Sequence, residues 1–339
     1  MSESEREAPK IYVDTIGYYH ADIDFEATPN LLPKRFNSNR MFFDNPNIPI
    51  PFVDVSNKDH KNHQIKEYNL ISFLRYLNQK GWPDGRKPHF VTHKQLLQSI
   101  ATGLENEILY LVRINGIIFM FKQDSASANR VSLPFSWMFR QFLTRESPDE
   151  PIDTSGIIQK GVFRASIETR NGRRTEVLYA GKVDAIDDEN IHYGVKVIAG
   201  FVERVPFFQH RGVSFYWQAF FENVKYMILA ERTGFINNDW KTRPPTNYPQ
   251  YSVYKVLKMK LTNFYSETNS FIENNPSLQQ FEKGYEDLRH LLNIAEQTLT
   301  QDGDGFVFSK PEGNSQWKIR RDDKAVAEFR RLILMNIPD

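Results

Sequence analysis

The sequence predicts an α+β fold built around an antiparallel-rich sheet. Two Asn-Gly pairs, Asn115-Gly116 and Asn171-Gly172, each separate apolar runs, which is the strongest short-range hairpin signal. Several segments repeat apolar residues at helical spacing, and they do not alternate regularly with the strands as a parallel α/β sheet requires. Length and composition support a packed domain. The chain has 339 residues, with 26 Phe, 15 Tyr and 5 Trp to fill a core with rings.

Taken in order, residues 1–10 are polar and mixed in charge and are expected to be disordered. Residues 11–60 are rich in Pro, Asn and Asp and read as irregular chain with short strands. Tyr68 to Gln79 carries apolar residues at 70, 71, 73, 74 and 77, an amphipathic helix ended by Gly81. His93 to Ala101 reads as a second helix. Glu107 to Lys122 reads as strand, Asn115-Gly116 turn and strand. Phe135 to Thr144 fits either a strand or a short helix.

Gly161 to Gly200 reads as a three-stranded meander. With Asp188-Glu189-Asn190 as a three-residue loop and Asn190 left-handed, Asp187 faces Ile191, Ala185 faces Tyr193 and Val183 faces Val195. The other face then carries Lys182 opposite Lys196 and Asp184 opposite Gly194. A shorter turn would shift the register and scramble both faces. Val213 to Leu229 reads as a long helix, or as a helix running into a buried strand at Tyr226 to Leu229. Tyr251 to Tyr265 is strand-like. Ser277 to Thr300 is a helix, Gly303 to Lys318 a strand pair around Gly313-Asn314, and Ala325 to Met335 a final helix.

Composition excludes some classes of function. The 43 basic and 42 acidic residues nearly cancel, so no global field steers nucleic acid to the chain, although a local basic groove is compatible with this balance. There is no cysteine, which rules out disulfides and thiolate metal sites and fits a reducing compartment. No apolar run has the length of a membrane span, and the N-terminus is no signal peptide. His89 and His93 stand at i, i+4 spacing with no third ligand in view, and read as histidines at a helix start. Asp302-Gly303-Asp304-Gly305 lacks the later bidentate Glu of a calcium loop and reads as a turn. Arg170, Arg173 and Arg174 at a hairpin tip are either solvated or phosphate contacts.

Five segments together resemble the DXO (Rai-one, Dom-three-Z) family of decapping exonucleases, over about His60 to Lys318. Val91-Thr92-His93-Lys94-Gln95 matches the family's Trp-Arg-Gly segment, with Lys94 for the arginine. Ser136-Trp137-Met138-Phe139-Arg140 matches its Gly-aromatic-x-Phe-Glu motif, with Arg140 for the glutamate. Lys182-Val183-Asp184 matches Glu-hydrophobic-Asp and keeps only the aspartate. Gly194-Val195-Lys196 matches Glu-hydrophobic-Lys and keeps only the lysine. Gln218-Ala219-Phe220-Phe221, followed by Val224, Met227-Ile228-Leu229 and Arg232, keeps the Gln-x-Phe-apolar segment.

The resemblance implies an α+β fold of two mainly antiparallel or mixed β-sheets flanked by helices, with the site in a cleft between them. It implies one such domain over residues 11–339, with an extra C-terminal helix at 324–335. Active members use divalent metal to hydrolyse RNA 5′ ends. Here three of four acids are replaced, which shifts the local charge by about +5. The expectation is therefore a pseudoenzyme with no metal site and no cofactor. Lys94, Arg140, Lys182, Lys196 and Gln218 would bind RNA 5′ ends, and Asp184 and Gly194 would be remnants. Inactive relatives imply a nuclear location, a role in piRNA-locus transcription and protein partners of the Deadlock/Rhino type. Two alternatives stand beside this reading. One is a protein-interaction scaffold using Phe329, Leu332 and Ile333 of the last helix. The other is a hydrolase with a rearranged site drawing on Glu176, Asp187, Asp188 or Glu189.

Overall fold

The computed structural model describes residues 10–37, 48–50, 70–103, 107–122, 135–147, 150–151, 153, 155–169, 172–199, 207–232, 251–273, 275, 278, 280–311 and 316–338. The expectations for residues 1–9, Arg170, Asn171 and Gly313-Asn314 lie outside these. The strands and helices are β1 (Ile11–Ala21), β2 (Ala27–Pro29), β3 (Ile48–Ile50), α1 (Ile71–Lys80), β4 (Phe90–His93), α2 (Lys94–Ala101), β5 (Glu107–Ile114) and β6 (Ile117–Lys122). There follow α3 (Phe135–Leu143), β7 (Ile158–Glu168), β8 (Arg174–Lys182), β9 (Ala185–Ile186), β10 (His192–Ala199), α4 (Val213–Phe220) and β11 (Val224–Arg232). The chain ends with β12 (Tyr251–Lys260), α5 (Leu261–Ile272), α6 (Phe281–Thr298), β13 (Gly305–Lys310), β14 (Lys318–Arg321) and α7 (Ala327–Asn336).

The strands form two mixed sheets. The first has nine strands in the order β14-β13-β5-β6-β4-β8-β7-β1-β2, and the second five in the order β3-β12-β11-β10-β9. β4 runs parallel to β6 and β8, and β10 parallel to β11; the other pairs are antiparallel. One face of the first sheet packs on α2, α4 and α6 through Leu96, Leu97, Trp217, Phe221, Leu288 and Leu292. Its other face packs on α1 and α7 through Phe73, Leu74, Leu77, Phe329 and Ile333. The second sheet is covered by α3 on one face and α5 on the other. Apolar faces sealed on both sides explain why so many strand residues have no exposed surface.

Several elements follow directly from local chemistry. The turn between β5 and β6 has φ of 52° at Asn115 and 82° at Gly116, the two positive values a tight right-twisting hairpin demands. Helix α1 ends where Gly81, at φ 75°, donates its N–H to the Leu77 carbonyl. His93 caps α2, its Nδ1 accepting from the Leu96 N–H at 3.1 Å, and His89 Nδ1 accepts from the Glu176 N–H. Neither histidine of that pair is placed as a metal ligand. Asp302 and Asp304 accept backbone N–H groups within and beside their own turn. At the β7–β8 tip, Arg173 bonds His89 and Arg174 lies over the Tyr12 ring.

Other expectations are corrected. Residues 11–21 are not irregular: β1 is an 11-residue strand beside β7. Its alternation is blurred by Asp14, Thr15 and Gly17 and by a bulge at that point, and its partner lies far along the chain. Phe135 onward is helix. The long-helix reading of Val213 to Leu229 fails, and the helix-then-strand alternative holds. Asn223, at φ 53°, turns the chain from α4 into β11. The strand from Tyr251 stops at Lys260, and the residues to Tyr265 belong to α5. Helix α6 starts at Phe281, later than Ser277.

The meander is the largest correction. The loop is as expected: Asn190 has φ 60°, the Asp187 N–H donates to the Ile191 carbonyl, and Ala185 pairs with Tyr193. The pairing ends there. Lys182 pairs with Lys160 of β7 in the first sheet, not with Lys196. Val183 and Asp184 carry the chain from one sheet to the other, and β10 continues beside β11 in parallel. Apolar matching along the sequence sets register near a loop, but it does not reveal that a strand changes sheets.

Candidate functional site

The crossing at Val183-Asp184 puts chemistry between the sheets. β8 delivers Lys182 at its end and β10 delivers Lys196. Helix α3 delivers Arg140, and the first turn of α2 delivers Lys94. Part of this cleft is lined by Lys34, Trp137, Arg140, Gln159, Lys182 and Asp184. The predicted Lys94, Arg140, Lys182, Asp184 and Lys196 therefore do gather, although by a sheet crossing and not by the predicted ladder.

Asp184 is the hub. Arg140 Nη1 donates to its Oδ1 at 2.8 Å, and the Val195 N–H donates to its Oδ2 at 3.0 Å. Burial alone would raise its pKa. Lys196, Arg140, Lys182 and the Val195 bond outweigh burial and hold the carboxyl well below the usual range. Burial pulls the Lys182 pKa well down, reinforced by Arg140, Lys94 and Lys196 and opposed by Asp184. Lys196 is lowered for the same main reason, and its ammonium lies 5.7 Å from the centre of the Phe215 ring.

Lys94 has a partner that the motif comparison missed. Its ammonium is in direct contact with the Glu222 carboxylate, and both side chains are buried. Burial and Lys196 pull Lys94 down to about 7, with Asp184 opposing. The touching Glu222 carboxylate opposes it further and favours an ammonium–carboxylate pair. Gly181 makes room for the stem of Lys94: a Cβ there would lie 2.8 Å from Lys94 Cδ. The Glu222 carbonyl in turn accepts from His192 Nδ1 at 2.6 Å, while His192 Nε2 accepts from the Tyr18 hydroxyl at 2.8 Å. That arrangement suits a neutral imidazole, and burial lowers His192 to about 4. No spacing rule links Glu222 to Lys94, because only the return of the chain through α4 brings them together.

The remaining predicted residues contribute less. Gly194 lies on β10 with Met227 and Val224 packed beside it. Gln218 is half-buried on α4, and its side chain joins none of these bonds among the described residues. Asp187 is occupied by the Glu189 and Ile191 N–H groups and the Tyr193 hydroxyl, and Asp188 by Arg35.

The donor set does not suit the divalent cation used by active members of the resembled family. Such an ion needs several oxygen ligands. Both Asp184 oxygens are engaged, Glu222 is engaged by Lys94, and the neighbours are cations. Among the described residues no three His, Asp or Glu side chains converge. Four basic side chains face two carboxylates, an imbalance that a bound anion would offset.

No family model matches the sequence, and no curated protein matches it. Solved structures do. The chain is similar to a mutant S. pombe Rai1 in complex with 3'-FADP at 16% identity, covering 94% of this chain and 96% of that one with TM-score 0.64. It is similar to Candida albicans Rai1 in complex with pU5-Mn2+ at 12% identity, 96% and 95% coverage and TM-score 0.63. K. lactis Dxo1 in complex with manganese follows at 12% identity, 91% and 89% coverage and TM-score 0.60. The two mixed sheets flanked by helices are thus the fold of Rai1 and Dxo1.

Proposed function

We propose that this chain is a pseudoenzyme that binds RNA 5′ ends and shields them without cutting. The observation that carries this reading is Lys182. Its side chain sits in the cleft and makes no ion pair or hydrogen bond among the described residues, while Arg140 and Lys94 are already paired. A terminal phosphate would supply the missing counter-charge, with Lys196 beside it. The Rai1/Dxo1 fold supports RNA as the ligand class, since a relative of that fold is known with pU5-Mn2+. In this reading the chain acts in the nucleus as the fly protein Cutoff does. It protects nascent RNA from decapping, degradation and termination within a protein complex, with Deadlock/Rhino-type partners at piRNA loci. Phe329 and Ile333 are buried against the chain's own core. A protein partner of α7 would therefore meet its outer residues, Leu334 and Met335, which are 57% and 72% exposed.

The test is binding of 5′-monophosphate and 5′-hydroxyl RNA at several salt concentrations, paired with a nuclease assay in Mg²⁺ and Mn²⁺. The expected result is a preference for the 5′-phosphate that Lys182→Ala abolishes, with no cleavage. Metal-dependent degradation that disappears in Asp184→Ala would overturn the proposal. So would indifference to the 5′ phosphate.

A further inference from the structure

A second opening lies away from the Arg140–Asp184 pair. A groove of about 1210 Å³ forms where β10 and β11 begin and β12 ends, between α4 and α5. Tyr216 and Phe220 of α4 and Tyr265 of α5 line it. Their rings form a run: Tyr216 is 5.7 Å from Phe220 and 5.2 Å from Tyr265, centre to centre. Tyr265 is also 4.5 Å from Phe281, which braces it from behind. It is 37% exposed, so the run reaches solvent.

The strand ends add charge. Lys225 stands second in β11 and Lys260 closes β12; both are exposed, and neither has an ion pair among the described residues. Lys260 is also the N-cap of α5. That helix has no side-chain cap and no acid in its first turn, so its N–H groups add positive potential at the same end of the groove. Among the described residues no acidic side chain lines the groove. Asn223 closes it toward the first sheet, its amide donating to Thr15 Oγ1 at 3.1 Å.

We infer that this groove binds a short stretch of single-stranded RNA, with bases on the Tyr216, Phe220 and Tyr265 rings and phosphates on Lys225 and Lys260. An apolar peptide would use the rings and leave the lysines without a role, and a simple anion would do the reverse. A flat anionic polymer uses both, and stacking rings beside cations are what sequence-tolerant single-strand binding requires. The volume exceeds that of an ordinary small-molecule pocket, so more than one nucleotide has room. The inference does not depend on the cleft at Lys182, because it concerns nucleotides whatever their 5′ end.

The experiment uses the full chain and a 5′-hydroxyl oligouridine of about ten nucleotides, followed by fluorescence anisotropy across a salt series. Lys225→Ala/Lys260→Ala should weaken binding about tenfold and reduce the salt slope by about 1.4. Tyr265→Ala should weaken it about tenfold as well. The two lysines are exposed, so their replacement reads binding independently of folding. Wild-type affinity in the double lysine variant overturns the inference. It is equally overturned if an acidic, tyrosine-containing peptide binds the groove and oligouridine does not.

Discussion

Replacing Asp184 by Asn keeps the shape of the side chain and removes its charge from the centre of the cleft. The Arg140 Nη1 to Asp184 Oδ1 distance is 2.8 Å, and the two side chains are 14% and 13% exposed. With charge centres about 4 Å apart and an effective dielectric near 20, their attraction is about 4 kcal/mol. Desolvation offsets part of this in the intact pair. Breaking it from one side leaves Arg140 unneutralised beside Lys182 and Lys196, a loss of about 3 kcal/mol. For a chain of this length that is a fall in Tm of about 4 °C. The depressed Asp184 pKa fixes the pH window. Its contribution is fully present above the unfolded value of 3.8 and is lost as pH falls below it, so the variant should lack this acid limb. The same substitution frees Arg140 for phosphate, and 5′-monophosphate RNA should bind several-fold tighter. Thermal unfolding and anisotropy on one preparation read both effects. An unchanged Tm, or weaker phosphate binding, would refute the view of Asp184 as counter-ion to an anion site.

Three further outcomes are expected. His192 has an unfolded value of 6.5 and a folded value of about 4, so its protonation destabilises the fold as pH falls from 6.5 toward 4. The full effect is about 3 kcal/mol, and His192→Gln should flatten that limb in urea titrations between those pH values. Gly284→Ala would push a Cβ into the Ala101 carbonyl oxygen and to 2.9 Å from Trp217 Nε1. The overpacking cost of about 1–3 kcal/mol should exceed the helix-propensity gain of about 1 kcal/mol, lowering the urea midpoint. Phe329→Ala removes a ring tilted by 44° against Phe121 at 3.8 Å centre to centre. It should cost about 3 kcal/mol, read by thermal unfolding, whereas Met335→Ala should leave stability unchanged.

Much of the architecture is legible in the chain itself, because it rests on local chemistry. Asn115-Gly116 and Asn190 supply backbone angles that few other residues adopt readily, so their turns are written where they stand. The apolar spacing of residues 70–77 produces α1, and the Gln-x-Phe-Phe segment leads into a buried strand as its apolar run suggests. The motif positions also converge: Lys94, Arg140, Lys182, Asp184 and Lys196 share one electrostatic environment. Charge substitution at those positions is visible without coordinates.

The tertiary structure alone decides how those charges are spent. β1 hides its period behind polar residues and becomes regular only against β7. Lys182 faces Lys160, and Asp184 becomes a bridge between sheets, because burying Val183 in the core of the first sheet draws the chain across. The pairing of Lys94 with Glu222, the room left by Gly181 and the aromatic groove beside Lys225 and Lys260 all join residues far apart in the chain. Sequence determines which charges and turns are present. Long-range packing decides which cations are neutralised and which stay open to a ligand, since that balance depends on distances that no local pattern encodes.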